Sequence, residues 1–173
     1  VEASAAEGAS LKLVSEQTVY QVGDEIEVEL HLNTAGVESD HVEVQMTYDS
    51  TVLEVVDADE EELGVQIAAT DLYETVLTNE VDATEGFIEF SMLSLDPENY
   101  HNSTSDEILA NITFTALAAG SVELELVYSG EDQDLEDSNI YNSESNEDVL
   151  MMVENLSLTV MEEEELEEGA ALE

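Results

Sequence analysis

The sequence predicts an all-β sandwich, and three observations predict it. The apolar residues recur with a period of two, turn signals return at short intervals, and no apolar run is long enough for a membrane helix. Alternation is cleanest in Glu25-Ile26-Glu27-Val28-Glu29-Leu30-His31-Leu32, where acids and aliphatics take opposite sides of one strand. His41 to Tyr48, Phe87 to Met92 and Ser121 to Leu126 repeat the pattern. One buried and one wet face is the habit of antiparallel sheets packed in pairs. Further strands are expected at Leu11–Val14, Val52–Val56, Val65–Ala69, Ile108–Ala116 and Val153–Val160. Turns at Val22-Gly23-Asp24, Thr34-Ala35-Gly36, Asp82 to Gly86, Ala119-Gly120 and Ser129-Gly130 separate them, giving about nine strands in a sandwich or jelly roll.

Two segments depart from this rhythm. Leu72 and Val76, and Tyr73 and Leu77, stand four apart, which predicts a short helix over Asp71–Leu77. Gly130–Asn146 is acidic and poor in aliphatics, so it is expected to be a long loop. The core should comprise Ile26, Val28, Leu30, Val44, Met46, Tyr48, Leu53, Val55, Ile88, Phe90, Ile112, Phe114, Val122, Leu124, Leu126, Leu156 and Leu158. Residues 1–9 read as a linker, 10–161 as the sandwich, and 162–173 as an acidic tail or linker.

Charge is the strongest compositional signal. The 173 residues carry 45 acidic side chains and one basic one, Lys12, for a formal net charge of -44. Nucleic acid and anionic membrane surfaces are excluded as partners, because both need Lys and Arg at phosphate groups. The same charge repels itself in the compact state, and salt relieves that repulsion. A halophilic habitat, a supercharged redesigned surface, and a basic or mineral partner each account for the balance. Cysteine is absent, which removes disulfides and thiolate metal sites.

Catalysis has no specific signature. Carboxylate pairs are too abundant here to single out an acid–base dyad, and His31, His41 and His101 lack metal-ligand spacing. The expectation is therefore a protein that is not an enzyme. Calcium, a hard cation, is the one cofactor the oxygen-rich loops would take. Asp132, Asp134, Glu136 and Asp137 are its candidate ligands, although the stretch lacks the glycine of an EF-hand loop. Asp96-Pro97-Glu98-Asn99 is a second candidate. Asn102, Asn111 and Asn155 each open a glycosylation pattern. Lys12 on the first strand and Asn155 on the last also raise a Lys–Asn isopeptide bond as a hypothesis.

Four phrases in order carry a family resemblance: Val22-Gly23-Asp24, Tyr48-Asp49-Ser50-Thr51-Val52-Leu53-Glu54-Val55-Val56, Gly86-Phe87-Ile88-Glu89-Phe90-Ser91 and Leu109-Ala110-Asn111-Ile112-Thr113-Phe114-Thr115-Ala116. Across residues 11 to 160 the chain resembles the cohesin domains of cellulosome scaffoldins and related surface proteins. Ser50 departs from the family pattern, which usually has proline there. The resemblance implies a nine-stranded jelly-roll sandwich that binds a partner domain, typically a dockerin, on one sheet face. It also implies an extracellular or cell-surface location. Carried over by alternation, that face is His41, Glu43, Gln45 and Thr47, then Phe87, Glu89, Ser91 and Leu93, then Glu123 and Glu125. The leading expectation is non-catalytic attachment to a dockerin-like domain. The alternative is a surface-layer or filament subunit that assembles with itself through bridging cations.

Overall fold

The structure, a computed structural model, describes residues 8–129 and 137–162. Two sheets face each other across one hydrophobic core, and the described residues hold fourteen strands and no α-helix. The smaller sheet is built from β1 (Ala9–Ser15), β3 (Glu25–Asn33), β5 (Leu53–Val55), β6 (Ala68–Ala69), β9 (Glu107–Ala116) and β13 (Leu150–Glu154). Its order is β13-β1-β3-β9-β5, with β6 also on β9. The larger sheet holds β2 (Val19–Gln21), β4 (His41–Thr47), β7 (Thr75–Asp82), β8 (Phe87–Leu93), β10 (Gly120–Leu126), β11 (Asn139–Asn142), β12 (Glu147–Asp148) and β14 (Leu156–Met161). There β7, β8 and β4 lie side by side, and β4 shares its other edge between β11 and β10.

Alternation explains which side of each strand is dry. Val42, Val44 and Met46 of β4 are buried between their outward neighbours, and Ile26, Val28, Leu30 and Leu32 do the same in β3. Phe90 and Phe114, from opposite sheets, are the largest fully buried side chains. Every expected core residue is buried except Leu156, which is half-buried at the margin where the last segment changes sheets.

That change of sheets is one reason the strand count exceeds nine. The segment expected as one strand over Val153–Val160 is two: β13 runs parallel to β1, and β14 pairs with β10 and β2. Asn155 is the break, and its Oδ1 accepts the Leu126 N–H at 2.8 Å. The first segment divides likewise into β1 and β2, so the first and last described segments stitch one side of the sandwich closed. The cross-over carries the chain from one sheet to the other, leaving β13 and β2 as the outermost strands on that side.

Three local expectations are corrected. Asp71–Leu77 is not a helix: residues 71–74 are bends, and β7 begins at Thr75. Val65–Ala69 shortens to Ala68–Ala69, because side chains take the backbone bonds before it: Asp57 Oδ1 accepts the Gln66 N–H at 3.1 Å and Asn79 Oδ1 the Ile67 N–H at 2.9 Å. The expected loop over Gly130–Asn146 contains β11, where Ile140 is fully buried opposite Val42.

The turn around Ser50 shows how the fold does without proline. Asp49 Oδ1 accepts from the Thr51 N–H at 2.9 Å and from its hydroxyl at 2.5 Å, so a side chain holds the bend that a ring would stiffen. Gly86 opposes this turn with φ 76°, and a Cβ there would lie 2.1 Å from the Tyr48 carbonyl oxygen. Only glycine fits.

Candidate functional site

The residues assigned by alternation to one outer face meet there, in register. Across β4 and β8 the directly opposed pairs are His41 with Leu93, Glu43 with Ser91, Gln45 with Glu89, and Thr47 with Phe87. Opposed residues of an antiparallel pair point to the same side. Since Val42, Val44 and Met46 point to the core, these pairs form the outer surface. Glu125 of β10 sits opposite Thr47 and extends one row, whereas Glu123 lies further along beside Ser157 of β14. Ser91 is buried and the other β4 and β8 members are half-buried, while Glu123 and Glu125 are exposed.

Two strands that the sequence did not reveal widen the plateau. β7 adds Thr75 opposite Leu93, Thr78 opposite Ser91, Glu80 opposite Glu89 and Asp82 opposite Phe87. β11 adds Tyr141 opposite His41, and the two rings meet edge to face with centroids 6.5 Å apart. With strands about 4.8 Å apart and same-face residues about 6.8 Å apart, four strands and four rows give a footprint of roughly 500 Å². A stable protein interface takes roughly 800 Å² from each partner. The plateau is therefore the centre of a contact whose rim must come from its borders, where Leu95 is 76% exposed.

Chemistry is uneven across the plateau. One end is apolar and aromatic, with His41, Leu93 and Tyr141. This end is buttressed from below: Tyr73 donates to Ser39 Oγ at 2.9 Å, and Ser39 donates to the Tyr141 and His41 carbonyls at 3.0 and 3.1 Å. Burial pushes the Tyr73 phenol well above its ordinary range, so it stays a neutral donor. The other end is acidic, with Glu80 directly opposite Glu89 and Asp82 and Glu125 nearby. Like charges opposed across strands are unfavourable, and no Lys or Arg is near: the sole one, Lys12, pairs with Asp106 at 3.4 Å on the other sheet. At the centre, Gln45 donates to Glu43 at 3.2 Å.

The remaining candidates are dispersed. Asp132, Asp134 and Glu136 lie outside the described residues. Asp137 is buried, and its Oδ2 accepts the Ser129 N–H at 2.8 Å. Asp96 caps a 3-10 turn over Pro97–Asn99 by accepting the Glu98 N–H. Among the described residues no three His, Asp or Glu side chains converge as a metal would require. His31 and His101 face Glu29 and Glu107 at 2.8 and 2.7 Å. The Lys12 ammonium points to Asp106 and the Asn155 amide to Leu126, so the two groups of the isopeptide hypothesis are engaged elsewhere.

Comparison with known proteins agrees with this fold. A model of the cohesin domain family matches residues 10–150. A type II cohesin domain from the cellulosome of Acetivibrio cellulolyticus superposes with a TM-score of 0.68 at 13% identity, over 87% of this chain and 95% of that one. A non-cellulosomal cohesin from the hyperthermophilic archaeon Archaeoglobus fulgidus gives 0.61 at 16%, over 94% and 97%. The matched chain of a type I cohesin–dockerin complex from Clostridium thermocellum gives 0.62 at 15%, over 88% and 99%. No curated protein sequence matches the chain. No helix among the described residues is long and apolar enough to cross a membrane.

Proposed function

This chain belongs to the cohesin domain family, and we propose that it is a non-catalytic attachment module of an extracellular or cell-surface protein, binding a dockerin-like domain on the β7-β8-β4 plateau. The observation that carries the reading is the register. It gathers Phe87, Leu93, His41 and Tyr141 with a belt of carboxylates on one continuous face, although they come from three distant stretches of chain. Apolar and aromatic groups ringed by polar ones are what interface centres are made of. The solved cohesin–dockerin complex with a similar fold supports the choice of partner class.

The polarity of the plateau orients the partner. Aliphatic side chains fit the Leu93 and Tyr141 end, and Lys or Arg fits the Glu80 and Glu89 end, where it relieves the opposed charges. Isothermal titration calorimetry against a panel of dockerin domains, at low and at molar NaCl, tests this. At least one dockerin should bind the native protein, and Leu93→Asp should weaken that binding by roughly tenfold or more. Binding that survives both Leu93→Asp and Phe87→Asp sinks the plateau reading. If no dockerin binds and sedimentation shows concentration-dependent assembly, the self-associating filament subunit takes its place.

A further inference from the structure

Beside the plateau, at the free edge of β7, lies a groove of about 610 Å³. Its floor is Ile67 with Ala68 and Ala69 of β6, so it runs between the edges of the two sheets. One wall is β7 and the other is the loop from Ala58 to Gln66. Along one edge β7 pairs with β8; no strand among the described residues pairs with the other. A free strand edge is a row of N–H and C=O groups that a further extended chain can join.

The side chains of the groove point the same way. Leu63, Val76 and Leu77 line it while exposed to solvent, Leu63 at 97%. One exposed apolar group is ordinary; three converging on one groove mark a contact. Gln66 is 8% exposed, and its Nε2 donates to the Leu63 carbonyl at 2.7 Å while its Oε1 is buried with no hydrogen-bond partner. Leaving that oxygen unpaired is unfavourable, and a donor arriving in the groove would correct it. Asn79 ties β7 to the floor, donating to the Ile67 carbonyl at 2.8 Å and accepting its N–H at 2.9 Å. The groove is thus preformed, which lowers the entropic cost of filling it.

Charge selects the occupant. Asp59, Glu62 and Glu80 line the groove with no basic side chain among the residues around it. A second copy of this chain would bring another net charge of -44 to the same place. We propose that the groove takes an extended segment of a partner protein, which adds to β7 as a further strand. Its alternate aliphatic side chains cover Leu63 and Leu77, and its Lys or Arg side chains reach Asp59 and Glu62.

The test probe is an acetylated octapeptide of alternating lysine and valine. Its control is the same peptide N-methylated at every residue, which keeps the side chains and their charge but offers no N–H group to a β-ladder on either edge. Both are titrated into the isotope-labelled protein in molar NaCl, where charge attraction is screened. The unmodified peptide should shift the amides of residues 63–69 and 75–80, and the control should shift none. Leu63→Asp and Leu77→Asp, both at solvent-exposed positions, should each weaken the peptide roughly tenfold with an unchanged melting temperature. Equal binding of both peptides, shifts confined to residues 41–47, or no binding at all overturns the proposal. Leu93→Asp should leave the peptide unaffected, so this site and the plateau stand or fall separately.

Discussion

The outer faces of the two sheets are built from the same kind of alternating strand, yet they treat their polar groups differently. On the smaller sheet, Glu27 accepts the Thr113 hydroxyl at 3.1 Å, Glu29 faces His31 at 2.8 Å, and Asp106 receives both Lys12 and Asn33. Each of these groups is matched by a neighbour from its own chain. On the larger sheet, Glu80 confronts Glu89, Phe87 stands half-covered beside Asp82, and Leu93 stands half-covered beside His41. A face that satisfies itself is finished when it meets water. A face with opposed charges and part-exposed aliphatics gains from a partner.

The severest way to break the comparison is to remove what both faces share. Phe90→Ala, at a fully buried position directly beneath the plateau, should lower stability by about 3–5 kcal/mol in chemical denaturation. Both faces should be lost in one transition. Next is alkaline titration. The buried Tyr73 phenol titrates above its unfolded counterpart, so the stability it carries is whole below about pH 10 and is lost as pH rises beyond that. Tyr73→Phe should flatten that alkaline loss while removing about 0.5–1.5 kcal/mol at neutral pH, since Ser39 loses its donor. Thermal melts across pH would show it.

Smaller effects sharpen the contrast. Glu89→Lys turns an opposed like-charge pair into an opposite one and should stabilise the protein by about 0.2–1 kcal/mol. Lys12→Gln, on the self-satisfied face, should destabilise it by up to about 1 kcal/mol, as a half-exposed ion pair allows. Asp106 is held below the usual carboxylate range, first by the Asn33 hydrogen bond and then by Lys12. Its contribution is therefore present above the ordinary aspartate pKa and fades as pH falls below it. If both substitutions destabilise equally, the two faces do not differ. The smallest effect is reserved for calcium: at matched ionic strength, CaCl₂ and NaCl should raise the melting temperature alike where only screening acts, and a clear excess with calcium would indicate a specific site.

How much of this was legible in the sequence varies strand by strand. In β4 and β8 the period of two assigned every side chain to the correct face, because nothing interrupts it. β7 was hidden by a bulge between Val76 and Thr78, which shifts the alternation and leaves Leu72, Tyr73, Val76 and Leu77 at helix-like spacing. β11 was hidden by composition: Ile140 is its one aliphatic anchor, set among Asn and Tyr. Asn155 gave no local sign that it divides two sheets, since both halves around it read as strand. The groove at β7 was illegible for the same reason as β7 itself.

By itself the sequence determined that each long strand has a dry side and a wet side, that the surface is overwhelmingly acidic, and that the fold is a sandwich. Alternation does this because side-chain direction within a strand is a local property of the backbone. Which wet sides lie together was decided only in the tertiary structure. Register between strands at residues 41–47, 75–82 and 87–93 comes from packing of their buried sides against the opposite sheet and from the turn at Gly86. The plateau, the opposed glutamates and the free edge of β7 are consequences of that register.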